Sequence, residues 1–216
     1  MTVACAALGI EARAVRRGRP GADVRVVGMR ARRLDRLATT AGQVLLLGFG
    51  GGLDERQRPG DVVVATSVRS ATGSVELPSA TGVLGVLRQA GIAASGGVLW
   101  CSDHVVRGAE RRQLAGTAQI VDMESARLVA ACGADRLAVV RVVVDTPQQG
   151  FVRACLTGGR RARRVLREVS AALFLQTYDD QLPTDQSPIM PSNVELAARG
   201  TRKTGASNTA GTTEEG

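Results

Sequence analysis

The run Leu137-Ala138-Val139-Val140-Arg141-Val142-Val143-Val144, closed by Asp145, constrains the fold more than any other stretch of this chain. A strand with one face in water alternates apolar and polar residues. Here only Arg141 interrupts the apolar sequence, as expected for a central strand with helices covering both faces of its sheet. Residues 44–47, between Gly42 and Gly48, read the same way. Around these two runs, strand patterns at 3–8, 24–28, 62–65, 98–101 and 119–121 alternate with helical patterns. The helices fall at 12–15, 31–40, 80–90, 109–114, 123–132 and 160–178, with Asp122 as N-cap of the fifth. Residues 16–21 and the glycine-rich 48–54 read as turns. The segment 67–78 assigns to neither class. Alternating strands and helices predict a three-layer α/β/α domain, with a central mixed, mainly parallel sheet, over residues 1–178. From 179 to 216 the composition turns to Thr, Ser, Pro, Gly and Asn, which predicts a disordered tail.

Composition removes several classes of function. Aromatics make up 2% of the 216 residues, too few to build stacking platforms for single-stranded nucleic acid, so no nucleic-acid partner is expected. One histidine and four dispersed cysteines (Cys5, Cys101, Cys132, Cys155) supply no zinc-ligand pattern, and no metal is expected. The cysteines sit in apolar contexts, as buried reduced thiols of a cytoplasmic protein do. No run reaches the roughly 18 apolar residues of a membrane span, and the N-terminus lacks a basic leader and reads as a first strand. The net charge of +8 comes almost wholly from arginine, Lys203 being the one lysine. Arg160, Arg161, Arg163, Arg164 and Arg167 form a basic amphipathic stretch. It reads as a solvated helix face or as a peripheral contact with anionic lipid at the inner membrane surface.

Two carboxylates lie at chain switches. Glu124 in the VDMES stretch (121–125) is either first-turn electrostatics or a ligand for two sugar hydroxyls. Asp145 either caps the Thr146-Pro147 loop or is a partly desolvated acid able to give up a proton. Glu11, after the first strand, is a further acid/base candidate. The glycine stretch Gly50-Gly51-Gly52 follows a buried strand but lacks the GxGxxG spacing, and no P-loop pattern exists. His104 is either a substrate contact or a solvated loop residue.

The order VACAALGIEA, LLLGFGGGLDERQRPGDVVVA, WCSDHVV, QIVDMESARLVAACG and VVRVVVDTP resembles the nucleoside phosphorylase/nucleosidase superfamily. Within it the chain is similar to methylthioadenosine/adenosylhomocysteine nucleosidases and most of all to the hopanoid-associated branch, which carries VDMES. The resemblance implies a catalytic domain over 1–178 that cleaves the N-glycosidic bond of a 5′-substituted adenosine and releases adenine. Adenosylhopane is the implied substrate, with methylthioadenosine or adenosylhomocysteine as the alternative. By the same resemblance, Asp145 protonates the base at N7, and Glu11 orients or activates water. Glu124 holds the ribose with Met123 packed on it; Gly50 and Gly51 pass beside ribose and base; Val105 and Val106 line the base pocket. No cofactor is implied. Arg30 is a candidate phosphate ligand that would make inorganic phosphate a co-substrate, whereas Glu11 favours water. A homodimer completing its pocket from a neighbour is also implied. Val144, where relatives place a small hydroxyl residue, and Val105, where many place an aromatic, keep a nucleoside-binding protein without turnover as the rival reading.

Overall fold

A computed structural model describes residues 2–34, 42–147 and 151–179, of which 151–158 and 176–179 are described by their backbone. The elements run β1 (Thr2–Ala6), α1 (Gly9–Gly18), β2 (Val24–Val26), β3 (Gln43–Gly52), β4 (Val62–Ser70), β5 (Gly73–Glu76) and α2 (Ala80–Gln89). They continue with β6 (Ala94–Cys101), α3 (Gly108–Leu114), β7 (Ile120–Asp122), α4 (Ser125–Cys132), β8 (Leu137–Asp145) and α5 (Phe151–Asp179). Short 3-10 turns cover Met29–Ala31 and Ala134–Arg136.

β8, the apolar run, lies between β3, which it pairs in parallel, and β4, which it pairs antiparallel. The remaining pairings follow the order β2-β1-β3-β7-β6-β4-β5, parallel except at β3–β7 and β4–β5. The sheet is therefore mixed and mainly parallel, as the apolar runs imply. Side-chain alternation divides its core in two. Ala4, Ala6, Leu45, Leu47, Ala138, Val140 and Val142 face α1, α2 and α5. Val3, Cys5, Val44, Leu46, Leu137, Val139 and Val143 face α4 and the turn after β2. The result is three layers. α5 docks through Ala162, Leu166, Val169 and Leu173, one stripe at helical spacing, all buried. Truncating fully buried Leu166 to Ala would cost about 2–5 kcal/mol through lost transfer energy and a cavity.

Several local expectations change. The glycine stretch is the end of β3 and not a turn. A Cβ at Gly50 would sit 2.7 Å from Ile120, so glycine is there to let β7 approach. α1 runs on to Gly18, into the segment 16–21 that reads as a turn, because Ala14 and Val15 stay buried against α5. The unassigned 67–78 stretch forms the β4–β5 hairpin. α5 starts at Phe151, ahead of the expected 160; a Gly158-Gly159 pair, each glycine costing about 1 kcal/mol in a helix, hides that continuity in the sequence. The helix expected over 31–40 lies outside the described residues beyond 34, and so does the tail beyond 179. Cys5, Cys101 and Cys132 are buried free thiols, burial pushing Cys5 and Cys101 up to about 12. Among the described residues, no helix is long and apolar enough to cross a membrane.

Candidate active site

A cavity of about 480 Å³ opens where β1, β3, β7 and β8 end, at the kind of strand terminus where α/β sheets collect ligands. Ala7, Leu8 and Glu11 enter it from the β1–α1 junction, Phe49, Gly50 and Gly51 from β3, and Met123 and Glu124 from the β7–α4 junction. His104, Val105, Val106 and Arg111 come from the stretch after β6, and Val144 and Asp145 from the end of β8. Glu11, Glu124, Asp145, Met123, Gly50, Gly51, Val105 and Val106, distant in sequence, thus line one space. Arg30 is not part of the lining; its amide donates to Glu124 Oε1 at 3.1 Å. It does so from a strained turn, with Arg30 at φ 57° and Ala31 at φ 47°, a region that non-glycine residues enter only when their surroundings hold them there.

One wall is organised by Arg141, the single polar residue of the apolar strand, which is fully buried. Its Nε donates to Asp122 Oδ2 at 3.0 Å, and its Nη2 donates to Asp122 Oδ2 and, at 3.0 Å, to Glu124 Oε2. Asp122 also receives the Ser125 hydroxyl at 2.8 Å and its amide at 3.3 Å. Asp122 is therefore a counter-ion lying before the helix, and Glu124 takes the N-cap position with α4 starting at Ser125. Burial would lower the proton affinity of Arg141, but Asp122, Glu124 and Glu11 outweigh it and hold the group well above its ordinary value.

Glu11 stands on the other side of Gly48. Its Oε1 accepts the Phe49 amide and its Oε2 the Leu8 amide, both at 2.7 Å. Burial raises its proton affinity above the ordinary carboxylate value, against the charge of Arg141 and these amides. Glu124 shifts the same way, chiefly from burial and partly opposed by Arg141. A Cβ on Gly48 would lie 2.5 Å from Arg141 Nη1 and 2.6 Å from Glu11 Oε1, so cation and carboxylate share the space above that glycine. Arg141 Nη1 is the buried polar side-chain atom left without a hydrogen bond among the described residues. A buried N–H without a partner costs about 1–3 kcal/mol.

The opposite wall is a second ion pair. Arg111 Nη1 donates to Asp145 Oδ2 at 2.7 Å, while its Nε and Nη2 donate to the Gly52 carbonyl at 3.0 and 2.7 Å. Nη2 also reaches the Asp145 carbonyl at 3.1 Å. A register shift between Gly50 and Gly51 pairs Gly51 with Asp145, a bulge that sets how the strand end meets the cavity. Asp145, which reads from the sequence as a loop cap or a partly desolvated acid, has an arginine partner.

Sequence reasoning missed both cations. Arg141 had a signal, since an arginine inside a buried strand must find counter-charges. Arg111 had none: it is one of two adjacent arginines in a charged helix. At the rim, Leu8, Met29 and Val105 are 40%, 61% and 52% exposed, an apolar collar. His104, also on the rim, bridges Asp103 at 2.6 Å and Glu110 at 2.9 Å, and these bonds raise its proton affinity.

No family model and no curated protein matches this sequence. Solved structures do. A 5′-methylthioadenosine/S-adenosylhomocysteine nucleosidase from Helicobacter pylori, in complex with butyl-thio-DADMe-Immucillin-A, superposes with a TM-score of 0.66. That match has 17% identity and covers 84% of this chain and 98% of that one. A futalosine hydrolase mutant from the same organism gives 0.68 at 16% identity, covering 84% and 99%. The nucleosidase of Campylobacter jejuni gives 0.67 at 12% identity, covering 83% and 98%. The chain has the fold of these nucleosidases. At such identities the likeness establishes architecture, and the chemistry must be argued from the cavity.

Proposed function

We propose that the protein is a nucleosidase that cleaves the N-glycosidic bond of a 5′-substituted adenosine and releases adenine. The observation that carries this reading is the space above Gly48, where Glu11 Oε1 and the unpartnered, buried Nη1 of Arg141 meet beside Glu124. A water held there donates to Glu11 and accepts from Arg141. Burial gives Glu11 a raised proton affinity, which suits a general base working near neutral pH. The C1′–N9 bond breaks with its electron pair leaving on the base, the water oxygen bonds to C1′, and its proton passes to Glu11. Glu124 keeps free lone pairs beyond its bonds to Arg30 and Arg141 and takes the ribose hydroxyls. Glu11 and Glu124 stabilise the positive charge that develops on the sugar. Met123 packs on the ribose, Gly50 and Gly51 border it, and Val105, Val106 and Asp145 face the base.

The substrate proposed is adenosylhopane, since the apolar collar of Leu8, Met29 and Val105 suits a long apolar 5′ group. Methylthioadenosine and adenosylhomocysteine, named for two of the similar structures, are the alternative. Water is the proposed nucleophile; phosphate, with Arg30 as its ligand, is the competing one. The same exposed residues with Ile10 suit a second copy of the chain, making a homodimer in which the neighbour covers the rim. The exposed Arg160, Arg161, Arg163, Arg164 and Arg167 would hold a cytoplasmic protein at an anionic membrane, which salt-sensitive flotation with anionic liposomes tests.

The decisive experiment incubates the protein with each of the three nucleosides, with and without phosphate, and quantifies adenine by chromatography. Adenine is expected from adenosylhopane without phosphate. Calorimetric binding of one of the three nucleosides with adenine released from none would leave a nucleoside-binding protein and overturn the enzyme reading.

A further inference from the structure

Between β6 and α3 the chain is neither strand nor helix, yet residues 104–108 all line the cavity. A single imidazole brackets this piece of wall. His104 Nε2 lies 2.9 Å from both carboxylate oxygens of Glu110, in the first turn of α3, and Nδ1 lies 2.6 Å from Asp103 Oδ1. Ser102 Oγ accepts the His104 amide at 3.2 Å and stands 3.3 Å from Nδ1, which fixes the start of the loop. A neutral imidazole carries one N–H and an imidazolium carries two. A carboxylate at each ring nitrogen therefore requires the charged ring. Asp103 and Glu110 are the charged groups that act on it, and both raise its proton affinity. His104, and to a lesser degree Arg30 from the turn after β2, holds the Asp103 carboxyl below its ordinary value. The bond to Glu110 closes a loop around Val105, exposed at the rim, and Val106, which is buried. Gly108, at φ 54°, supplies the left-handed bend that brings α3 back to the ring.

We propose that the His104 imidazolium is a clamp on this wall, joining Asp103 to Glu110 so that Val105 and Val106 are held against a bound ligand, and releasing them when the ring gives its proton to water. The proposal rests on the nucleosidase reading and adds a pH control to it. His104 is a positioning residue: it acts through the two valines and touches no reacting atom. Once neutral, the ring keeps one N–H, so the carboxylate at the other nitrogen meets a lone pair. The surviving hydrogen bond also loses the charge on its donor, which about halves its strength. The side chain is 53% exposed, so its proton exchanges freely with solvent. The clamp is complete below the ordinary histidine value, about 6.5, and is lost as pH rises through the raised folded value. Exposed ion pairs each shift an equilibrium by only about 1.5- to 5-fold, so the control is graded and not all-or-none.

His104 is the one histidine in the 216 residues, so NMR follows its ring titration without overlap. The titration is recorded with and without adenine, and adenine affinity is measured by calorimetry on either side of the midpoint. Wild type is expected to bind adenine about threefold more weakly above the midpoint than below it. By reciprocity, saturating adenine should raise the midpoint by about half a pH unit. His104→Gln should bind with the weaker affinity on both sides. His104→Lys, whose cation does not titrate in this range, should keep the tighter affinity on both. Glu110→Gln should bring the midpoint back toward about 6.5. All three substitutions replace exposed or half-exposed side chains, so the fold is retained. A wild-type midpoint at or below about 6.5, or one that bound adenine leaves unmoved, overturns the clamp and leaves the nucleosidase reading standing. If wild type binds no adenine at any pH, the clamp has nothing to hold and fails; adenine release from the three nucleosides then decides the nucleosidase reading separately.

Discussion

The two polar walls of the cavity are built from the same residue types and do opposite things. On one, Arg141 lies among Asp122, Glu124 and Glu11, fully enclosed, with more carboxylates than cations and one N–H unanswered. On the other, Arg111 meets Asp145 alone, is tied to two backbone carbonyls, and touches the cavity at its edge. The first wall holds an imbalance, with Glu11 and Glu124 raised above their ordinary proton affinity by burial and restrained by a single cation. That is a reactive arrangement. The second is charge-matched and rigid, an arrangement for recognition. The difference lies in burial and stoichiometry, since both walls use arginine and carboxylate.

The comparison breaks most sharply at Arg141. Arg141→Met removes the one cation among three buried carboxylates, and leaving buried charge uncompensated costs about 3–5 kcal/mol. Arg111→Met strands only Asp145, whose side chain is 12% exposed and can draw on water, so a smaller loss is expected. Urea unfolding of both variants checks the order, and equal losses would mean that the walls do not differ in the way described. Gly48→Ala comes next. Its methyl would sit within 2.6 Å of both Arg141 Nη1 and Glu11 Oε1, so one of these buried side-chain ends must shift. Overpacking of this kind costs about 1–3 kcal/mol. It also fills the space assigned to the attacking water, so kcat for adenine release should fall about a hundredfold with KM less affected. Unchanged kcat would remove the water from that position.

How far the sequence revealed these walls follows from the same physics. The layers were legible because β8 and β3 are apolar on both faces, which only a doubly covered sheet explains. Glu11, Glu124 and Asp145 were legible as candidates because each lies where a strand pattern gives way. Their partners were not. Arg141 was visible as an anomaly, but its pairing with Asp122 spans a separation in sequence that no local pattern encodes. Asp122 sits where an N-cap would, and the geometry that assigns it to Arg141 exists only after β7 and β8 have come together. The glycines of β3 read as a loop because their cause, the approach of Ile120, is likewise a tertiary fact. Arg111 resembles any solvated helical arginine until α3 is placed against the end of β3.

The smallest expected effect sharpens the claim that the Arg141 wall is held in imbalance. Burial raises the proton affinity of Glu11, so the folded chain binds that proton more tightly than the unfolded chain does. Its protonated form therefore contributes stability that is fully present below the ordinary glutamate value, about 4.3. That contribution is lost as pH rises through the raised folded value. Glu11→Gln has no such proton to lose. Thermal unfolding of both proteins across this window should show wild type losing stability relative to the variant as pH increases, by less than either substitution above costs. The variant should also release no adenine at any pH, because glutamine cannot accept a proton from water. Parallel stability curves would show that Arg141 and the Leu8 and Phe49 amides fully offset the burial of Glu11, and the general base would then have to be sought at Glu124.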